Sequence, residues 1–214
     1  MHKCGSGFYT EGMRSATTAP PTLRQRRQQR TREELVDAVL AVIGQAGLAD
    51  TTIERVSAES GVSRGTVYAY FPGGRDELLR AAYAHLGHGL VERTRAGVSA
   101  ASDWRGRLVA HARAMFDLAD DPRIGHFYNV SGPTLIVDGA ERGIGSGASI
   151  LMIRETLEAA QAAGEVDATV DADAVAALLV GALREAATGV AAGHRDADRA
   201  FAAFARLIDG LAAR

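Results

Sequence analysis

From residue 31 onward the apolar positions recur at helical spacing, and no stretch alternates with the two-residue rhythm of a strand. Leu35, Ala38, Val39, Val42, Ile43 and Ala46 make one apolar stripe, which Gly47 ends. "TTIERVSAESG" follows. The T-x-x-E spacing of Thr51 and Glu54 predicts a capping box and a helix start; Ile53 and Val56 face inward, and Gly61 supplies a left-handed end. Two residues later Ser63 can cap a second short helix, "RGTVYAYF". Two short helices joined by a three- to four-residue turn containing Gly predict a helix-turn-helix. "PGG" at 72–74 breaks the chain, and "RDELLRAAYAHL" opens a longer helix with Leu78, Leu79, Ala82, Tyr83 and Leu86 on one side. Further helices are predicted near 103–119, 146–163, 171–191 and 195–212, the last two capped by Asp171 and Asp196. The expected fold class is all-α.

The second short helix carries two kinds of residue. Val62, Val67 and Phe71 give it an apolar back. Its front suits a major groove, about 12 Å wide in B-DNA. Arg64 can bond a guanine edge or a phosphate, Thr66 a phosphate or a thymine methyl, and Ser63 stands beside them at the helix start. Gly65, lacking a Cβ, lets the backbone come close to a duplex; Tyr68 and Tyr70 hold hydroxyls at the ends of rigid rings. Thr51 and Thr52, at a positive helix N-terminus, can hold a phosphate on the other side.

Charge sharpens this reading. The 214-residue chain has a formal net charge of −2, yet residues 1–90 hold 11 Lys+Arg against 9 Asp+Glu, and residues 91–214 hold 13 against 17. "LRQRRQQRTR" (23–32) carries five arginines and no acid, as either a cationic arm for DNA or a solvated helix extension. Residues 1–22, with glycines and Pro20-Pro21 but no apolar period, read as a disordered tail. No apolar run approaches the ~20 residues of a membrane span, and the start lacks the apolar stretch of a secretory signal. Cys4 is the one cysteine, so no disulfide framework forms within the chain and a reducing, cytoplasmic setting is expected.

Residues 31–86, from "TREELVDAVLAVIGQAGLADTTIERVSAESGVSRGTVYAYF" through "RDELLRAAYAHL", resemble the DNA-binding domain of the TetR family of transcriptional regulators. The resemblance implies a repressor released by a small-molecule effector, with an N-terminal three-helix DNA reader (23–73), a connecting helix and a helical effector-binding and dimerisation domain (74–214). By position, Thr52 matches the family's phosphate-touching residue, and Ser63, Arg64, Thr66, Tyr68 and Tyr70 its recognition surface. Ser57 stands where an alanine is usual, and "FPGGRDEL" is one residue longer than the family's Phe-x-x-Lys spacing and lacks its lysine; Arg75 is the substitute. The partners implied are a palindromic double-stranded operator, an effector and a second copy of the chain. No cofactor, metal, membrane partner or catalysis is expected.

Family dimers pair through their last two helices. Here Leu178, Leu179 and Leu183 are read as one face, Phe201, Phe204, Leu207, Ile208 and Leu211 as another, with Gly181, Ala182, Ala186 and Gly189 permitting close approach. Trp104, Met115, Phe116, Phe127, Tyr128, Leu151 and Met152 are candidates for lining an adaptable apolar cavity, or for plain core. Rival chemistry is thin. His85 and His88 lack a third metal ligand; His111 with Asp117, Asp120 and Asp121 lacks a nucleophile or oxyanion motif; "GIGSG" (143–147) has no preceding strand and reads as a mobile connection. Two alternatives stay open: a helical small-molecule-binding or enzyme domain with a vestigial helix-turn-helix, and a DNA-compacting protein indifferent to sequence.

Overall fold

In the computed structural model, residues 22–135 and 144–213 are described. The expected tail, with Cys4, lies outside them apart from Thr22. Among the described residues eight α-helices follow in order: α1 (Leu23–Ala46), α2 (Ile53–Ser60), α3 (Arg64–Tyr70), α4 (Gly74–Ala100), α5 (Trp104–Ala119), α6 (Ile144–Ala162), α7 (Ala172–Ala191) and α8 (Ala197–Asp209). Between α5 and α6 a π turn (Phe127–Ser131) runs into a 3-10 turn (Gly132–Leu135). Among the described residues the one extended pairing is an isolated antiparallel bridge from Val166 to Ala212.

The helix ends follow the capping residues. Ser63 caps α3, Asp103 α5, Asp171 α7 and Asp196 α8, each accepting from backbone amides of the first turn. Two starts differ from expectation. α1 begins at Leu23, because Thr22 and Gln25 form a reciprocal capping box and the pairs Gln29–Glu33 and Arg30–Glu34 support the exposed turns. The cationic segment is therefore an exposed helical extension of α1. At α2 the cap is Thr52, whose hydroxyl accepts from the Arg55 amide at 3.3 Å. Thr51 is 2% exposed, and its hydroxyl donates to the Gly47 carbonyl at 2.9 Å. Thr51 thus neither caps α2 nor faces a phosphate.

Leu35, Val39, Val67, Phe71 and Leu79 are fully buried where α1, α3 and α4 meet, with Val56 of α2 beside them. Each such side chain contributes about 1.5–3 kcal/mol through burial. Arg32 fastens the unit: it donates to the Tyr70 carbonyl at 2.9 Å, and its guanidinium lies 4.1 Å from the Phe71 ring centre. Ser57, the departure from alanine, donates to the Val62 carbonyl at 2.6 Å and so pins the turn between α2 and α3.

Packing runs across residues 73–74. The core of the α1–α3 unit, the head, continues along α4 to Leu90 and takes in Ala114 and Leu118 of α5 with Phe127 and Tyr128. A second core joins α5, α6, α7 and α8 around Leu108, Ile153, Leu157 and Ile208.

The second core absorbs residues expected at a dimer interface. Leu179, Leu183, Phe204 and Ile208 are buried within the protomer, and Phe201 is half-buried beneath the Arg113 guanidinium at 4.3 Å. Leu178 is exposed. Neighbouring positions on a helix diverge by about 100°, so Leu178 and Leu179 cannot share a face. The exposed side of α7 is instead Ala174, Ala177, Leu178, Gly181 and Ala182. By length and composition α7 could cross a membrane, with mean hydropathy 1.5, but Ala176, Leu179, Leu183 and Ala187 along it are core residues.

Candidate functional site

The recognition helix, α3, turns its apolar side inward and its polar side out. Val67 and Phe71 are fully buried, whereas Ser63, Arg64, Gly65 and Tyr68 are exposed and Thr66 and Tyr70 partly so. The Ser63 hydroxyl accepts from the Thr66 amide at 3.2 Å and lies 2.9 Å from the Thr66 hydroxyl, which fixes both at the helix start. A Cβ placed on Gly65 would meet only Ser63, at 3.9 Å, so the outward approach there is open. Thr52 is exposed at the start of α2.

Two contacts were not legible in the motif. Arg64 donates to the Glu54 carboxylate at 3.2 Å, from the front of α3 to the first turn of α2. Tyr68 packs over Gly74: a Cβ there would come within 3.3 Å of the ring, and Gly74 has φ +62. That left-handed residue is where the lengthened "FPGG" turn is accommodated.

Arg75 does not reach outward as the family lysine would. Its guanidinium donates to the Thr51 and Leu48 carbonyls, both at 2.6 Å. It ties the start of α4 to the α1–α2 turn. The Thr51 carbonyl gains a donor and the Leu48 carbonyl a second one beside the Thr51 amide, and a phosphate role loses two of the guanidinium's donors.

α4 also forms one wall of a cavity of about 250 Å³ between α4, α5, α6, α7 and the π turn. Of the expected lining residues, Met115 and Tyr128 are there. Trp104 and Phe116 belong to the second core and Phe127 to the first, while Met152, half-buried on α6, does not reach the cavity. Aromatic size thus went into packing. Tyr128 stacks on Tyr83 of α4, ring centres 5.0 Å apart, and Phe127 meets Tyr83 edge-on. A Cβ on Gly132 would approach the Phe127 carbonyl and the Tyr83 ring within 2.6 Å, so this junction requires glycine.

The residue that sequence reasoning set aside is His111. It is 2% exposed, lines the cavity, and neither ring nitrogen has a hydrogen-bond partner among the described residues. Burial pushes its pKa down to about 4. A buried polar group left unpaired costs about 1–3 kcal/mol. "GIGSG", read as a mobile connection, is helical from Ile144, and Gly145 and Ser146 line the same cavity. Only a view of α4 and α5 side by side places His111 there; its carboxylate neighbours in sequence, Asp117 and Asp120, are exposed elsewhere. Among the described residues no cluster of metal-ligating side chains occurs.

Comparison with known proteins agrees with this architecture. The model of bacterial regulatory proteins of the tetR family matches residues 35–82, and that of the tetracyclin repressor-like C-terminal domain matches residues 105–211. The HTH-type transcriptional regulator BetI of Paraburkholderia phymatum is 36% identical over 105 residues, 49% of this chain and 48% of that protein. The chain spans about half the length of the curated relatives it matches, or somewhat less. A TetR-family regulator from Pectobacterium atrosepticum shares the fold with a TM-score of 0.72 at 24% identity, over 89% of this chain and 98% of that one. A TetR regulator from Chloroflexus aurantiacus gives 0.68 at 25%, over 87% and 98%. With one family model on the reading head and a second over half of its length, the chain belongs to the TetR family of transcriptional regulators.

Proposed function

We propose that the chain is a ligand-responsive repressor that binds a palindromic operator as a homodimer in the cytoplasm and leaves it when an effector occupies the cavity. One observation carries this: a polar ridge of Ser63, Arg64, Gly65, Thr66 and Tyr68 stands on a buried back, on a head fastened by Arg75 to the helix that walls the cavity. Thr52 and Tyr70 flank that ridge and complete the set offered to phosphates.

A palindrome needs two heads about 34–36 Å apart, hence a two-fold pair. The exposed small residues of α7, Ala174, Ala177, Gly181 and Ala182 around Leu178, with Ala203 and Leu207 on α8, support pairing through these helices. A Cβ on Gly181 would meet nothing in its own protomer, leaving room for a partner's helix. An effector acts by binding one head spacing better than the other.

Selection of DNA fragments by the purified protein, followed by retardation of the selected site, tests this reading. A palindrome should emerge, and Arg64→Ala with Tyr68→Ala should abolish its preference. Retention of unselected DNA with equal affinity would overturn it in favour of sequence-indifferent binding.

A further inference from the structure

We propose that the cavity takes a small, uncharged ligand carrying a hydroxyl group on an apolar body, with that hydroxyl bonded to the His111 imidazole. This rests on the reading of the cavity as the effector site and names the chemistry it selects.

The argument starts from what the buried wall offers. An uncharged imidazole presents one N–H donor and one lone pair, and both are unpartnered in His111. A hydroxyl can answer either, donating to one nitrogen or accepting from the other; a carbonyl answers only the donor. Thr94, as buried as His111, and Tyr128 line the cavity with further hydroxyls. Burial pushes the Tyr128 phenol well above its ordinary range and the His111 imidazole well below its own, so both are uncharged at neutral pH. The charged lining residues, Arg184 and Glu185, are exposed and stand at the rim. An ionised group at the bottom would lose its water, with only the exposed, solvent-screened Arg184 and Arg93 guanidiniums to offset that loss for an anion. Leu90, Met115, Val180 and Leu183 supply the apolar remainder of the wall. At about 250 Å³ the space lies below the ~300–1,000 Å³ typical of sites for drug-sized ligands, so the occupant is compact.

Matched probes test this on the full chain: 4-ethylphenol and 4-ethylcyclohexanol, the anion 4-methylbenzoate, and 4-ethyltoluene, which has no polar group. Binding is read by calorimetry and melting temperature, and the imidazole by its ¹⁵N resonances. At least one hydroxylated probe should bind saturably, about tenfold or more tighter than the anion and the hydrocarbon, and should shift the His111 ring signals. His111→Phe should erase that preference; Thr94→Val, a milder change, should weaken the hydroxylated probe while sparing the hydrocarbon. Equal or tighter binding of 4-methylbenzoate or 4-ethyltoluene overturns the proposal. So does binding of none of the probes, which leaves His111 to an ordered water, or binding indifferent to both variants. Operator retardation run in parallel separates the two readings. A hydroxylated probe that binds through His111 but leaves DNA affinity unchanged defeats release by that ligand, not the ligand class.

Discussion

Arg64 of the recognition helix donates to the Glu54 carboxylate of the preceding helix at 3.2 Å, with both side chains about two-thirds exposed. The Glu54 carboxyl is held below its usual range, first by its backbone amide in the first turn of α2 and then by Arg64. In the unbound protein the guanidinium is therefore already engaged, on the surface that would meet a duplex. An operator must draw it away from Glu54 or accept the pair as it stands.

Replacing Glu54 by Gln releases Arg64 and removes a negative charge from that surface. DNA binding should tighten a few-fold, more for unselected DNA than for the operator, and the dependence on log salt should steepen by up to about 0.9, the value of one added phosphate contact. Arg64→Ala should instead weaken operator binding by about 1–3 kcal/mol. Titrations across salt concentration check both; an unchanged slope in the Gln variant would mean that the operator already draws Arg64 away from Glu54 in the parent protein.

Arg75 holds structure together. Arg75→Ala removes two charge-assisted bonds to the Thr51 and Leu48 carbonyls, and a loss of about 2–4 kcal/mol in stability is expected. Arg75→Lys keeps the charge but not the fork, so it should recover little of that loss. Denaturant unfolding measures this directly. Rescue of stability and DNA affinity together by Lys would restore a phosphate role.

His111 makes stability depend on pH. The unfolded chain takes up its imidazole proton near the ordinary value of 6.5, the folded chain only near 4. Between those values the unfolded state binds more protons, so this contribution is fully present above about pH 6.5 and is lost as pH falls toward 4. From pH 7 to pH 5 the folded state should lose about 2 kcal/mol through this group. His111→Phe should lack that component, and the difference between the two unfolding curves isolates it from the exposed histidines.

Subunit pairing is expected to fail when the exposed face of α7 is altered, and protomer folding when its buried face is. Leu178→Arg or Gly181→Gln should give folded monomers in sedimentation and lower operator affinity. Leu179→Ala should cost about 2–5 kcal/mol of protomer stability through the cavity it opens.

The helix-turn-helix was readable from sequence because each of its signals is local. The cap at Ser63 and the glycine at 61 act within a few residues, and the apolar back of α3 follows from spacing alone. What escaped depends on separated segments. Thr51 and Thr52 are equally good caps as residue types, and only the depth of the α1–α2 turn decides between them. Leu178 and Leu179 are chemically identical, and the crossing of α7 over α5 and α6 sends one to solvent and the other to the core. The cavity was least legible, since its walls come from five separate segments and its distinctive residue is a histidine whose meaning lies in partners it lacks.

The 27 residues of α4 run unbroken from the Arg75 tie past the cavity wall, which ends at Thr94, to Ala100. At about 1.5 Å per residue that is a rod of about 40 Å. A tilt of about 5° about its far end would carry the tied end some 3.5 Å, close to the ~3.4 Å rise between neighbouring base pairs. A rearrangement of side chains too small to disturb either core would thus be geometrically amplified into a whole step of misregister on a duplex.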